Sequence, residues 1–423
     1  PNDSLPTGLV QLGGGTSLTW DVSGTGGTVV VAALTIHQGD LDPTVLHEAI
    51  ARDGSAEGLR YWGTNADWTS ASTPSGAFRD PSMSIVGPEA RAPQSSRVTA
   101  GLVQQLTDRW SLYVGGAARR TDFLPRRRNL NLAVEPTALD ANGRAVYGTL
   151  VKDGALVAAD PASMRRFSEF DDVFALDTDG WSEYRAVTVG LEHRSEMADL
   201  FAAYTRSKTE DNWVGARSGL PDAQLGPGVP GERKAWEEGT SDFDVPDRLT
   251  LGGTVRLGGD LGAEISAVYR YASGLPFTPR YRTGVDVNGD GSGLNDVAWV
   301  PDAGQLSGLG SEWDCLDDQT GSFAERNSCR ATARQSLDAS VRIRLGNLGG
   351  RPVRLVIDGL GLIEDEGGVL DEALLLVDPT ADLVTSPGGT SVTVPVTVNP
   401  DFGEVLMPFS PGRILRVGFR IGG

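Results

Sequence analysis

The residues best suited to chemistry form an acidic loop at 286–296, Asp-Val-Asn-Gly-Asp-Gly-Ser-Gly-Leu-Asn-Asp. Oxygen-bearing side chains alternate along it and a glycine stands at position 6, as a calcium loop of the EF-hand type requires for its sharp turn. The oxygen ligands would be Asp286, Asn288, Asp290, Ser292 and Asp296. Position 12 is Val297, which cannot supply the usual bidentate carboxylate. A calcium loop and a solvated Asp/Asn/Gly turn therefore both stay open, and calcium would order the loop without catalysing a reaction.

The two cysteines and three histidines offer little further chemistry. Cys315 and Cys329 share an Asp-rich stretch without a nearby His, which suits a loop disulfide in an oxidising compartment better than a zinc site. Two unpaired thiols remain the alternative, because sequence does not prove connectivity. His37, His47 and His193 lie far apart, and no His-Glu-x-x-His, Gly-x-Ser-x-Gly or phosphate-loop motif occurs. We expect no enzyme, and no cofactor other than calcium.

Charge and hydropathy exclude two broad classes of protein. Lys and Arg total 37 against 56 Asp and Glu, and the net charge of −19 argues against a nucleic-acid partner. No apolar run approaches the roughly 18 residues that a membrane helix needs. The longest apolar runs are the size of single strands, which excludes a helical membrane protein.

Pairs of alternating segments predict the elements that must position these residues. Each pair has a two-residue period and is joined by a very short turn, as in a β-hairpin. The pairs are 97–106 with 111–121, 184–193 with 199–207, 248–257 with 263–272, and 336–345 with 352–363. The pair 17–22 with 28–36 fits less cleanly, and 413–421 is a final strand, so about a dozen strands are predicted.

The connections between these pairs are long, at 122–183, 208–245, 273–335 and 364–412, too long for structureless loops in a compact soluble domain. Short turns at one end and long loops at the other are typical of membrane barrels. We predict an all-β fold: an antiparallel transmembrane β-barrel with short periplasmic turns and long extracellular loops. Aromatic residues near strand ends, among them Tyr184, Trp213 and Phe277, fit an interfacial girdle.

Strand alternation also separates an apolar face from an ionic one. In 248–257, for example, Leu249 and Leu251 oppose Arg248 and Thr250. In a barrel the ionic faces would line a polar lumen, where salt bridges are a better interpretation than a substrate site. The lumen-lining arginines would be Arg256, Arg270, Arg342, Arg344, Arg416 and Arg420.

Several stretches resemble the barrel of TonB-dependent outer-membrane receptors, in particular the Oar-like group, whose members carry a carboxypeptidase-regulatory-like domain. The matching stretches keep their order from about residue 97 onward, whereas 1–96 match only loosely. They are 119–121, 204–213, 241–249, 271–279, 286–296, 326–330 and 399–404.

This resemblance implies that residues 1–423 form the C-terminal part of an outer-membrane barrel of about 22 strands. Such a receptor is a monomer in outer-membrane lipid that imports a scarce nutrient of siderophore, carbohydrate or peptide class. The plug and TonB box of the family have no counterpart here, so we expect the chain to start within a longer protein and to reach the TonB complex only through a plug. The terminal aromatic of the family is replaced by Gly423.

Two other functions stay open. One is an outer-membrane or extracellular adhesion or binding protein that carries out no transport. The other is a soluble extracellular β-protein, whose strands would alternate in the same way.

Overall fold

Eleven antiparallel strands form the main path of a thirteen-stranded sheet, and we call these eleven strands the wall. The computed structural model describes residues 13–39, 58–59, 78–79, 81–87, 90–213, 238–258, 262–306, 308–309, 311–363, 367–408 and 412–422. Neighbours in sequence are neighbours in the wall, so its order is β1 to β11 without a crossover. The strands are β1 (Gly14–Asp21), β2 (Thr28–Gln38), β3 (Gln94–Gln105), β4 (Trp110–Asn129), β5 (Val173–Arg194), β6 (Ala198–Asp211), β7 (Asp247–Leu257), β8 (Ala263–Ala272), β9 (Arg334–Leu348), β10 (Arg351–Leu360) and β11 (Ile414–Ile421).

The strand register joins the alternating side chains into two continuous faces. Residues directly opposite each other point to the same side of a sheet, so the register pairs assign every strand. The apolar face carries, one from each strand, Trp20, Leu34, Val98, Val114, Val189, Tyr204, Leu251, Tyr269, Leu337, Ile357 and Val417. Many of these side chains are exposed, Val417 by 62% and Trp20 by 57%. The apolar side chains of the wall are therefore not its buried core.

The opposite face is polar and holds cross-strand ion pairs. Glu264 on β8 accepts from Arg342 on β9 at 2.7 Å and lies 3.8 Å from Arg256 on β7. Arg270 pairs with Asp338 at 3.1 Å. All six predicted lumen arginines lie on this face by register.

The strand predictions agree closely with the wall. All five predicted hairpins and the final strand are present, and the boundaries differ mainly where β4, β5 and β6 extend beyond the predicted ends. The wall has eleven strands, and about a dozen were predicted. The 286–296 loop and both cysteines lie in the connections, as predicted. No helix in the described part of the chain is long and apolar enough to cross a membrane.

The buried core lies in the long connections instead of the wall. These connections contain short strands and two four-residue helices, Pro161–Met164 and Ala303–Leu306, with a 3₁₀ segment at Ser311–Gln319. The short strands are Gly58–Leu59, Phe78–Arg79, Met83–Val86, Ala138–Leu139, Ala145–Val146, Leu150–Asp153, Leu156–Ala159, Gly239–Thr240, Pro276–Phe277, Arg280–Tyr281, Cys329–Arg330, Gly368–Leu370, Ala373–Val377, Val384–Thr385, Val392–Thr393, Val396–Val398 and Val405–Pro408. The connections are therefore folded and packed, although sequence predicted only loops.

Candidate functional site

Three long connections share one hydrophobic core at the long-loop end of the wall. The described residues of 130–172, 273–333 and 361–413 contribute to it, and we call this assembly the cap. Val157 comes from the first connection, Ala298 and Val300 from the second, and Leu374 from the third, all with essentially no exposed surface. Because buried side chains of all three connections pack in one cluster, the cap is one packed unit.

A disulfide and an aromatic cluster lie within this core. Cys315 and Cys329 are bonded, with their Cα atoms 5.3 Å apart, which confirms the predicted loop disulfide. Phe277 is 2% exposed and its ring lies 5.8 Å from the rings of both Trp313 and Phe402. The prediction that Phe277 belongs to an interfacial girdle is wrong, because its ring packs inside the cap.

Two ion pairs fasten the cap to the outer end of β6 and to the segment just before β7. Arg326 pairs with Asp211 at 2.5 Å, and both side chains are nearly fully buried. Arg330 pairs with Asp244 at 2.5 Å. The stretches 326–330 and 241–249, which carry part of the family resemblance, therefore contact each other through charge-assisted hydrogen bonds.

Part of the 286–296 loop is buried in the cap, with Asp290 and Asp296 at 0% exposure, whereas Leu294 is 51% exposed. Its carboxylates accept hydrogen bonds from the loop backbone. Asp286 accepts from the N–H groups of Gly289 at 2.6 Å and Gly291 at 2.9 Å, and Asp290 accepts from that of Ser292 at 2.9 Å. The turn of the second alternative is present, and the carboxyl groups of Asp286, Asp290 and Asp296 within it are buried.

Arg144 anchors this loop to the first connection. Its guanidinium is fully buried, lies 3.2 Å from Asp296 and 3.5 Å from Asp140, and donates to the carbonyl oxygen of Val297. The rings of Tyr281 and Phe323 lie 5.5 and 4.8 Å from it, within cation–π range. Desolvation raises the pKa of Asp296 well above its ordinary value, although the positive charge of Arg144 opposes the shift.

Burial perturbs two further groups beside the loop. Desolvation raises the pKa of Asp286, while backbone donors oppose the shift. Burial also raises the pKa of Tyr281 to about 12. Among the described residues, no group of three or more His, Cys, Asp or Glu side chains converges as a metal site. The loop acidic groups are instead occupied by N–H donors and by Arg144, and calcium binding stays a prediction.

A cavity of about 510 Å³ lies on the polar face of the wall, near the long-loop end. Three of its lining residues are arginines and three are aromatic. They are Arg97, Arg119, Arg248, Tyr184, Trp213 and Phe243, and we call this cavity the arginine pocket. By register, Tyr184 lies on the polar face, and Trp213 donates from Nε1 to the carbonyl oxygen of Pro125 at 2.8 Å. Both therefore face an internal pocket, and assigning them to a girdle was wrong.

The histidines lie apart from the cap core. His37 lies near the end of β2, opposite Ser95, and the ring of His193 packs 4.5 Å from that of Trp110 near the end of β5. His47 lies outside the described residues. The described pair are strand-end residues, as the sequence indicated.

Sequence reasoning missed the residues that organise the cap and the pocket. Arg144 and its partner Asp296 are 152 residues apart, and Arg326 and Asp211 are 115 apart. Nothing local distinguishes such arginines from exposed ones. The one available signal for the pocket was that Arg97 and Arg119 occupy the same face of two adjoining predicted strands.

A wall with one continuous apolar face, a polar opposite face and folded loops at a single end defines the class of outer-membrane β-barrels. The chain belongs to the family described as outer membrane beta barrel domain, whose model matches residues 48–349. Its location is accordingly the bacterial outer membrane. No curated protein sequence matches the chain.

The chain is similar, at low identity, to three solved structures of outer-membrane transporters. The transporter YddB from Escherichia coli is 10% identical, with a TM-score of 0.46 over 90% of this chain and 38% of its own. The FrpB iron transporter from Neisseria meningitidis is 8% identical, with a TM-score of 0.43 over 96% and 38%. The toluene transporter TbuX from Ralstonia pickettii is 12% identical, with a TM-score of 0.27 over 88% and 76%. The chain thus spans well under half the length of the first two.

Proposed function

We propose that this chain is the wall and external cap of a TonB-dependent receptor of the Oar-like group, which binds a scarce nutrient and admits it across the outer membrane. The observation that carries the proposal is the cap: three connections fold onto one core at a single end of the wall. A folded external assembly above a polar surface can capture a ligand and deliver it along the wall. A membrane anchor alone would need neither part.

The two faces of the wall have distinct roles in this proposal. The apolar face contacts outer-membrane lipid, and the polar face lines a lumen in which Arg256, Arg270 and Arg342 are held by carboxylates. The receptor acts as a monomer, and its coupling to the TonB complex runs through a plug. The nutrient is of siderophore, carbohydrate or peptide class. No step of this function requires a catalytic residue.

Two experiments test the proposal. The genomic sequence upstream of Pro1 should encode a plug domain with a TonB box. In the native bacterium, deletion of this gene and deletion of tonB should cause the same growth defect on a limiting nutrient. Reintroducing the gene should restore growth only when TonB is present. A rescue that does not depend on TonB would refute energy-coupled import.

Adhesion without transport is the second candidate, and the packed cap is the observation that favours it. The Cys315–Cys329 bond and the buried core suit a rigid docking surface as well as a ligand trap. Loss of surface attachment in the deletion strain, with nutrient uptake unchanged, would support this candidate. Loss of uptake with attachment unchanged would support the receptor.

We also propose, separately, that calcium binds the 286–296 loop and orders this part of the cap. This proposal is supported by the enclosure of oxygen-bearing side chains, since Asn288 is 1% exposed and Asp290 and Asp296 are 0% exposed, so a bound cation would be shielded from water. Calorimetric titration of the folded chain with CaCl₂ should give a saturable heat that is lost in Asp290→Asn. An equal heat from Asp290→Asn and the wild type would place calcium elsewhere, and no heat from the wild type would refute the site.

A further inference from the structure

The arginine pocket concentrates positive charge in a chain whose net charge is −19. Arg97 on β3 and Arg119 on β4 are direct register partners, so two cations face each other across one strand pair. Like charges in this arrangement repel and destabilise a sheet. Arg248, on β7, adds a third cation to the same cavity.

Local carboxylates do not neutralise these three cations. Within the described residues, none of the three forms an ion pair, and Arg119 donates only to the Ser95 hydroxyl, at 3.1 Å. Asp211 also lines the pocket, but its carboxylate is paired with Arg326. Arg256, Arg270 and Arg342, on the same face, do have carboxylate partners.

Three aromatic residues also line the pocket. Tyr184 is the register partner of Arg119 on the next strand, so a phenol ring adjoins the paired cations. Phe243 is 48% exposed, and the Trp213 indole is held in place by its bond to Pro125. Flat rings beside unpaired guanidinium groups suit a ligand that has both an anionic group and an aromatic ring.

We infer that the arginine pocket binds a small aromatic carboxylate. The carboxylate bridges Arg97 and Arg119 and removes their repulsion, and the ring of the ligand packs against Tyr184 and Trp213. A volume of about 510 Å³ fits a small molecule. The inference rests on the proposed function, because it names the chemistry of the imported nutrient.

The polar face also provides a matched control. Arg344, Arg354 and Arg420 form another row of arginines in register, near the short-turn end of the wall. They do not line the arginine pocket. Binding driven by general positive charge would depend on both rows, whereas binding in the pocket depends only on Arg97 and Arg119.

The test is calorimetric titration of the folded full chain in detergent with salicylate and with its neutral analogue salicylamide. We expect salicylate to bind at least tenfold more tightly than salicylamide. Arg97→Gln with Arg119→Gln should weaken salicylate binding at least tenfold, and Arg354→Gln with Arg420→Gln less than twofold. Near-UV circular dichroism checks that each variant keeps its fold.

A second variant tests the aromatic part of the site. Trp213→Leu should weaken salicylate binding several-fold and leave the binding of inorganic phosphate unchanged. Equal losses in the two double variants, or equal affinity for salicylate and salicylamide, would overturn the inference. If the chain binds salicylate but growth does not depend on TonB, the pocket assignment stands and the proposed import function is refuted. If growth depends on TonB but the chain does not bind salicylate, only the pocket assignment is refuted.

Discussion

Replacing Arg144 with methionine should destabilise the cap more than any exposed arginine replacement in the chain. Methionine keeps much of the side-chain volume but removes the charge, so the Asp296 carboxylate, at 0% exposure, loses its 3.2 Å ion-pair partner. Breaking a buried pair by removing one partner costs about 3–5 kcal/mol. The contacts to Tyr281 and Phe323 are lost as well.

The double variant Arg144→Met with Asp296→Asn separates the unpaired charge from the lost packing. With the Asp296 carboxylate removed as well, most of the loss in unfolding free energy should be recovered. Arg194→Met is the matched control, because Arg194 pairs with Glu192 at 2.7 Å but is 74% exposed. Exposed pairs contribute about 0–1 kcal/mol.

The cost of Arg144→Met should also depend on pH. Desolvation holds the pKa of Asp296 above its ordinary value of 3.8, and removing the opposing charge of Arg144 raises it further. A carboxyl with a raised folded-state pKa costs no stability while it is protonated in both states, so its penalty grows as the pH rises from the unfolded pKa towards the folded one. The difference between variant and wild type should therefore shrink in acid and grow as the pH rises.

Urea titration followed by tryptophan fluorescence measures the stability of the cap, and heat-modifiable migration on gels reports the wall separately. Three results would refute the reasoning. The first is a loss below about 1 kcal/mol for Arg144→Met, as for an exposed pair. The second is no recovery in the double variant, and the third is a penalty that grows in acid.

Three further predictions concern the disulfide, a tight glycine and the two faces of the wall. Reducing the Cys315–Cys329 disulfide should lower the unfolding free energy of the cap by about 3 kcal/mol, as expected for a loop of about 15 residues. The gel migration of the wall should stay unchanged, and a wall that unfolds with the cap would contradict this. Gly403→Ala should lower the free energy of unfolding in urea more than Gly388→Ala does. Both glycines have positive φ, but only at Gly403 would a Cβ lie 1.6 Å from the Trp313 ring. Equal losses would show that the ring moves freely. Val189→Arg, on the apolar face, should reduce folding into lipid vesicles by about 2–4 kcal/mol, whereas Thr188→Arg, on the polar face, should have little effect; the opposite order would invert the two faces.

The sequence predicted the wall well because strand faces are encoded locally. Leu249 and Leu251 alternate with Arg248 and Thr250, and that period alone determines which side chains share a face. The predicted start of β5, at Tyr184, was too late, because the strand begins at Val173 and its first residues pair with 126–129 in a segment without clear alternation. Tertiary pairing, not local pattern, extends the strand there.

The cap could not be predicted in the same way. Its contacts join residues more than a hundred positions apart, such as Arg326 with Asp211, and its strands are mostly two to five residues long. Some of the stretches that resemble the receptor family nevertheless take part in the cap. Phe277 and Phe402, from two of them, pack ring to ring, and the acidic loop is enclosed by the connection that contains Arg144.

The shared core of the cap has a consequence for how such a protein can change. Because Val157, Val300 and Leu374 come from three different connections and cover one another, a substitution in one connection alters the surface that the other two must fit. Grafting a single connection from a relative should therefore fail where exchanging all three succeeds. New ligand preferences would then arise by replacing the whole assembly, or by changes on the wall below it, where the side chains of the arginine pocket stand outside that shared core.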